Sequence, residues 1–317
     1  MKQKRLTSLK YLLIVIFSAF TGLNITAQDE PSKKIFIGDH SFTPISYSPL
    51  PSTNTYINTL AGFGQTINLF HSITLDDDLG VIGISGEVTF VDIYFAYQQR
   101  VRDWLAAYIK LGMSARLGTE FQSILAQGLN TVTTFDIGWQ FKILTGERYA
   151  FSATLELQNH EGSFINVLGF VKDVINDHPN PKIKENIPVL TVGSGLRFAY
   201  GFNDFIGICA TTDLSYGETY IRGKNGISFT AGAGVDLDFY PRYSVPLGLI
   251  VHYNITSQPE FVYVDGKSAH ILKAKIAYTK ARDFSLGLEY AIMKVPLWNT
   301  QKDPAVYTFA LASRFYF

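Results

Sequence analysis

Val306–Phe317, VYTFALASRFYF, closes the chain, and its reading decides the fold. Tyr307, Phe309, Leu311, Phe315 and Phe317 share one parity; Thr308, Ala310, Ala312 and Arg314 fall on the other. A strand sends successive side chains to opposite faces, so a period of two describes a ribbon with one apolar face and one of small or polar groups. The alternation recurs upstream. Phe229, Ala231, Ala233, Val235, Leu237 and Phe239 oppose Ser228, Thr230, Gly232, Gly234, Asp236 and Asp238. Likewise Phe135, Ile137, Trp139, Phe141 and Ile143 oppose Thr134, Asp136, Gly138, Gln140 and Lys142.

Working back from that end, the pattern marks out twelve strands, at about 58–74, 80–99, 104–117, 131–144, 148–159, 188–201, 205–217, 226–240, 244–256, 268–279, 283–294 and 305–317. The second loses parity near Phe90 and Val91, which predicts a β-bulge. Residues 29–56 carry Pro31, Pro44, Pro49 and Pro51 and make poor interior strands. Connections after even-numbered strands are short, as at Arg100–Asp103, Thr145–Arg148 and Gly201–Asp204. Those after odd-numbered strands are mostly longer, although the first, near Asp76–Leu79, is not. Tyr97, Trp104, Phe141, Tyr149, Phe202, Phe205, Phe239, Tyr243, Phe284 and Phe315 gather near the short turns. Amphipathic rings favour a membrane interface, so this is a girdle.

On these residues the sequence resembles the transmembrane β-barrel proteins of bacterial outer membranes, whose last strand commonly ends on an aromatic residue, Phe above all. The resemblance implies an all-β fold, an antiparallel up-and-down barrel of about twelve strands with both termini on the periplasmic side. It implies outer-membrane lipid and the barrel-assembly machinery as partners, with Tyr307, Phe309, Phe315 and Phe317 as the assembly signal. A soluble all-β protein is the alternative, but it gives no reason for aromatics to collect at alternate turns.

Residues 1–27 read as a secretory signal peptide. Lys2, Lys4, Arg5 and Lys10 precede the apolar Tyr11–Phe20, and Ile25-Thr26-Ala27 offers a small-residue cleavage site. An uncleaved anchor is the other reading, but about ten apolar residues are too few to span a bilayer as a helix. No Cys follows the apolar core, which argues against a lipoprotein. The expected organisation is a leader at 1–27, a periplasmic or lumen-plugging segment at 28–56, and a barrel at 57–317. Removing the leader's four basic residues takes 27 to 23, against 27 acidic ones, a balance of −4. That argues against a nucleic-acid partner, which favours a clustered basic footprint. The chain is 47% hydrophobic with a mean hydropathy of +0.10, values that lipid-facing strands produce without a helical span. One cysteine, Cys209, excludes an internal disulfide and a Cys-based metal site.

If the aromatics face lipid, the lumen receives Asp92, Lys110, Asp136, Glu156 and Arg197. Asp213, Asp236, His252, Lys273 and Glu289 follow on the later strands. Counted from the short turns, Asp92, Lys110, Asp136 and Glu156 sit at similar heights, and Lys273 is level with Glu289. These are either a charged pore lining or a structural ladder of cross-strand pairs. Between strands five and six, Ser163–Ile175 has helical spacing. Phe164, Leu168, Val171 and Ile175 make it a candidate gate, or else a helix packed on the rim. The segment at 28–56, with Ile35, Phe36, Ile37, Phe42 and Ile45, is a candidate plug or a periplasmic tail. Its architecture is similar to the N-terminal hatch of the long-chain fatty-acid transporter family, without that family's Asn-Pro-Ala motif.

Asn159-His160-Glu161-Gly162-Ser163 brings a base and a hydroxyl together, as a lipid hydrolase requires, but no G-x-S-x-G elbow accompanies it. No His pair has metal-ligand spacing. No catalytic residue, metal ligand or cofactor is therefore assigned. The expected function is passive passage of a small solute through a gated lumen, with the hatch and outer helix favouring an apolar one. A closed barrel with a structural or surface-binding role is the alternative, and an outer-membrane lipid hydrolase the third reading.

Overall fold

The computed structural model describes residues 36–67, 70–74, 81–85, 88–117, 128–165, 170, 173–176, 178–182, 184–219, 224–257, 268–281, 283–294 and 305–317. The predicted signal peptide lies outside them.

The strands in chain order are β1 (Phe36–Ile37), β2 (His40–Ser41), β3 (Tyr56–Ile67), β4 (Phe70–Thr74), β5 (Val81–Ser85), β6 (Val88–Arg102), β7 (Leu105–Leu117) and β8 (Gly128–Thr145). They continue with β9 (Tyr149–Ile165), β10 (Lys184–Gly201), β11 (Ile206–Glu218), β12 (Asn225–Asp238), β13 (Leu247–Ser257), β14 (Ala269–Tyr278), β15 (Phe284–Lys294) and β16 (Ala305–Tyr316). Twelve of them, β3 and β6 to β16, form one closed antiparallel barrel. Each pairs with its neighbour in sequence, and β16 meets β3 with Phe309 opposite Phe63 and Phe315 opposite Ile57. Closure removes every sheet edge, the condition for burying strand backbone in lipid, where water cannot satisfy it.

The inside-to-outside alternation follows the sequence pattern. In β16, Ala310, Ala312, Arg314 and Tyr316 are buried, while Phe309, Leu311 and Phe315 are exposed. In β12, Phe229 and Val235 are exposed, and Asp236 and Asp238 are buried. Exposed Leu288 lies opposite Ile276 on one side and Leu311 on the other, giving a level outward belt of aliphatic side chains. A belt of this kind needs an apolar solvent.

The short connections are 103–104, 146–148, 202–205, 239–246 and 279–283. The longest holds one helical turn, α1 (Tyr240–Tyr243), ended by Ser244 in the left-handed conformation at φ 56°. Outward rings meet beside these turns. Trp104 stacks on Phe141 at 6.4 Å, Phe205 meets Phe239 at 5.6 Å, and Phe284 meets Phe315 at 4.8 Å.

Three details differ from the sequence reading. The first strand does not run from 58 to 74: the barrel strand ends at Ile67, and β4 and β5 form a separate hairpin between β3 and β6. That hairpin makes the first outer connection long, not short. Second, β3 and β6 stay in register through Phe90 and Val91, so no bulge lies there. Phe90 breaks the apolar-out pattern because it points inward over Gly64, where a Cβ would overlap its ring. Register shifts occur instead at Arg100/Arg102, Leu129/Thr131 and Lys142/Leu144. Third, Ser163 to Ile165 continue β9 opposite Asn186 to Lys184, so the expected helix does not begin at Ser163. Residues 173–175 are helical. Among the described residues, Lys184–Leu190 of β10 pair with β9 and not with β11, which lets Pro188 stand where no described ladder needs its missing N–H.

Candidate functional site

Short-range pattern decides which side chains enter the lumen; long-range register decides which of them meet. On β7 to β9 they meet as pairs. Lys110 Nζ lies 2.8 Å from Glu156 Oε2, which also accepts the Tyr108 hydroxyl at 2.9 Å. Gln158 donates to the other oxygen of Glu156, and Thr191 donates to Gln158 at 2.9 Å. Asp136 Oδ1 faces His160 Nε2 at 3.2 Å. Lys110 and His160 each have a carboxylate acceptor, and Glu156 and Asp136 each have a donor, which offsets the cost of taking them out of bulk water.

The lower lumen, toward the short turns, is occupied by residues 36–55. Apolar Ile37, Phe42, Ile45 and Leu50 are buried with Ala150, Ala199, Cys209 and Ile250 of the wall. Polar contacts hold the segment in place. Both oxygens of buried Asp236 are used: Oδ1 with His40 Nε2 at 2.8 Å and Oδ2 with the Thr43 backbone N–H at 2.8 Å. His40 Nδ1 reaches the Asp204 carbonyl at 3.2 Å. Glu289 Oε1 accepts both the N–H and the hydroxyl of Ser46, at 3.0 and 2.8 Å. Lys275 joins that carboxylate at 3.0 Å and donates to the Pro44 carbonyl at 2.9 Å. The returning limb is held by Gln140 on the Leu50 carbonyl and by Gln98 on the carbonyls of Ser52 and Asn54. Glycine makes room at the base, since a Cβ on Gly201 would overlap the Ile37 carbonyl.

The segment turns back at a bridge between Ile45 and Ser48, and Tyr47 caps its tip. The Tyr47 ring lies 4.4 Å from that of Tyr94, with Lys273 Nζ 5.2 Å from its centroid. Tyr47 is 47% exposed, yet partial desolvation inside the barrel and the nearby Asp92 carboxylate raise its pKa above the ordinary tyrosine value, so it stays a neutral phenol. Beside Tyr47 and Ser48 lies a cavity of about 130 Å³, bordered by Arg197, Asp213, Thr230, Asn254 and Lys273 among others. Arg197 spans from the Thr212 carbonyl at 2.8 Å to Asp213 at 2.5 Å.

All ten predicted lumen residues lie on inward-facing positions. Their pairing differs from the expected ladder: Lys110 is directly opposite Asp136 but bonds across to Glu156, and Asp92 stands opposite Ser114. Lys273 is not level with Glu289, because Ala291 is its neighbour and Lys275 stands opposite Glu289. Lys275 and Lys273 share parity, and a slide of two residues leaves a period-two pattern unchanged, so pattern alone could not choose between them. His40 was also missed; nothing near it in sequence announces a partner 196 residues away. Of the candidate gate, Phe164 belongs to strand β9, Ile175 is helical and exposed, and Leu168 and Val171 lie outside the described residues.

The hydrolase arrangement does not form at Asn159–Ser163. His160 and Ser163 are three apart on one strand and project to opposite faces, and His160 turns to Asp136. Among the described residues no cluster of His, Cys, Asp or Glu could hold a metal ion.

No protein-family model matches the chain, and no curated protein sequence matches it. Solved structures of similar shape include the NanC porin, at 7% identity over 81% of this chain and 98% of that one, with a TM-score of 0.49. An outer-membrane channel of Pseudomonas putida F1 aligns at 10% identity, covering 87% and 99%, with a TM-score of 0.47. A Pseudomonas aeruginosa FadL homologue aligns at 8% identity, covering 90% and 98%, with a TM-score of 0.44. The closed barrel itself carries the assignment. With apolar side chains outward, polar ones inward, and short turns and both strand termini at one end, the chain has the architecture of a membrane-spanning β-barrel of the outer-membrane type.

Proposed function

We propose that this protein is a passive outer-membrane channel for small solutes, held shut at its periplasmic end by residues 36–55. One observation carries the reading: the barrel closes without that segment. β16 pairs directly with β3, and within the segment the only ladder is the two-residue β1–β2 hairpin, so it adds no strand to the wall. It can leave without opening a sheet edge. Much of what holds it is side-chain hydrogen bonding to its backbone, which water replaces at a net cost of about 0.5–1.5 kcal/mol each, more at the charged Asp236 and Glu289. Beside the Tyr47 tip lies a cavity of about 130 Å³ bordered by Arg197, Asp213, Asn254 and Lys273, polar space of the kind a solute path uses. The outward belt meets membrane lipid, and Tyr307, Phe309, Phe315 and Phe317 are the face the assembly machinery reads.

A second reading, a permanently closed barrel with a structural or surface-binding role, draws on the complete burial of His40, Asp236 and Lys275. Solute influx separates the two. Full-length protein in liposomes should admit small sugars slowly, and the Asp236→Asn/Glu289→Gln variant should admit them at least several-fold faster. Equal, negligible influx from both proteins, each correctly inserted, would favour the closed barrel.

A further inference from the structure

The cavity beside Tyr47 is unevenly supplied with charge partners. Of the ionised groups bordering it, Asp213 is taken by Arg197 at 2.5 Å. Lys273 has no carboxylate within ion-pair distance among the described residues; its ammonium lies over the Tyr47 ring, 5.2 Å from the centroid. Glu289 is on the adjacent strand, but its carboxylate is engaged by Lys275 and Ser46. Directly opposite Lys273 on β13, His252 is 1% exposed, and neither of its ring nitrogens has a hydrogen-bond partner. Arg197 Nε is buried and likewise without an acceptor. Lys110 and Lys275, by contrast, each have a carboxylate. Lys273 and Arg197 thus bring two cations to one space whose bordering carboxylate, Asp213, is already engaged by Arg197. Among the described residues, the Lys273 charge is left without the partner a buried cation ordinarily has.

The space is kept open by glycine. A Cβ on Gly195 would overlap Asp213 and crowd the Arg197 guanidinium, and one on Gly232 would overlap the Asn254 amide. Thr211, Thr230, Asn254 and Thr256 give the wall hydroxyl and amide groups, so it suits an ion better than a hydrocarbon.

We propose that this cavity is a binding seat for a small carboxylate-bearing solute, whose oxygens are taken by Lys273 and Arg197. Because Tyr47 and Ser48 form one side of the seat, its occupant touches the N-terminal segment and the wall together, and a carboxylate on Lys273 competes with the Tyr47 ring for the ammonium. The seat exists whether or not the lumen conducts.

Acetate and acetamide, equal in shape and different in charge, provide the test. Saturation-transfer NMR on the full-length protein folded in micelles should show acetate binding and no comparable acetamide binding. Lys273→Met should weaken acetate at least tenfold, Lys273→Arg should retain it, and Lys224→Gln, at a loop end, should leave it unchanged. Folding of each variant is checked by its heat-dependent gel mobility; should Lys273→Met fail to fold, Arg197→Gln takes its place with the same expected loss. Inorganic phosphate that displaces acetate would widen the ligand class to oxyanions generally. Equal binding of acetate and acetamide, or acetate binding unaffected by Lys273→Met or by its replacement Arg197→Gln, would overturn the proposal.

Discussion

Two walls of the same lumen use the same residue types to opposite ends. On β7 to β9, Lys110, Glu156, Tyr108, Gln158, Asp136 and His160 close on one another. On β10 to β14, Arg197 takes Asp213, while Lys273 borders a cavity with no carboxylate at ion-pair distance among the described residues. Charge content does not distinguish a structural ladder from a binding surface; satisfaction does. The Lys110–Glu156 and His160–Asp136 pairs are closed by the wall's own residues, whereas Lys273 is open to what enters the cavity.

That contrast breaks most easily at Glu156. Glu156→Ala removes the carboxylate bonded to Lys110 and Tyr108 and should cost about 3 kcal/mol, read from urea unfolding of the protein folded in lipid vesicles. A loss below 1 kcal/mol would mean the β7–β9 network is not closed. Next in size is a charge on the other side of the sheet. Leu288→Arg places a guanidinium in the middle of the outward belt and should cost about 2–4 kcal/mol in the same assay. A loss below about 1 kcal/mol would contradict the assignment of faces.

Asp236→Asn acts on the occupied end. It removes a carboxylate that holds His40 and the Thr43 N–H, bonds to a charged group worth about 1.5–3 kcal/mol each. The barrel should still assemble, and protease added from the short-turn side should cut within 36–55 faster than in the wild type. Smallest is Lys273→Met. No carboxylate is orphaned by it, so stability should change by less than about 1 kcal/mol, in contrast to Glu156→Ala. A large destabilisation would show that Lys273 belongs to a finished network after all.

The barrel was legible in the sequence because its rule is local. Alternation at β12 and β16, short turns at 146–148 and 202–205, and rings beside them each follow from a strand between lipid and water. Phe90 was misread because its inward position depends on Gly64, a residue of another strand. The site was legible only in part. Parity places Asp92, Glu156 or Arg197 inside, yet partners depend on register, which parity leaves free by steps of two; Lys275 was passed over for that reason. Residues 36–55 have no period, and their hold on the barrel comes from single hydrogen bonds to Asp236, Glu289, Gln98 and Gln140 far along the chain.

The channel reading stands on whether residues 36–55 are a removable closure. Single-channel conductance in planar bilayers, of the full-length protein and of a copy lacking Asp29–Ser52, tests this most directly. A nearly silent full-length protein and a steady current after deletion are the predicted result. Silence from both proteins, with the barrel confirmed as folded, would contradict it and leave a closed barrel.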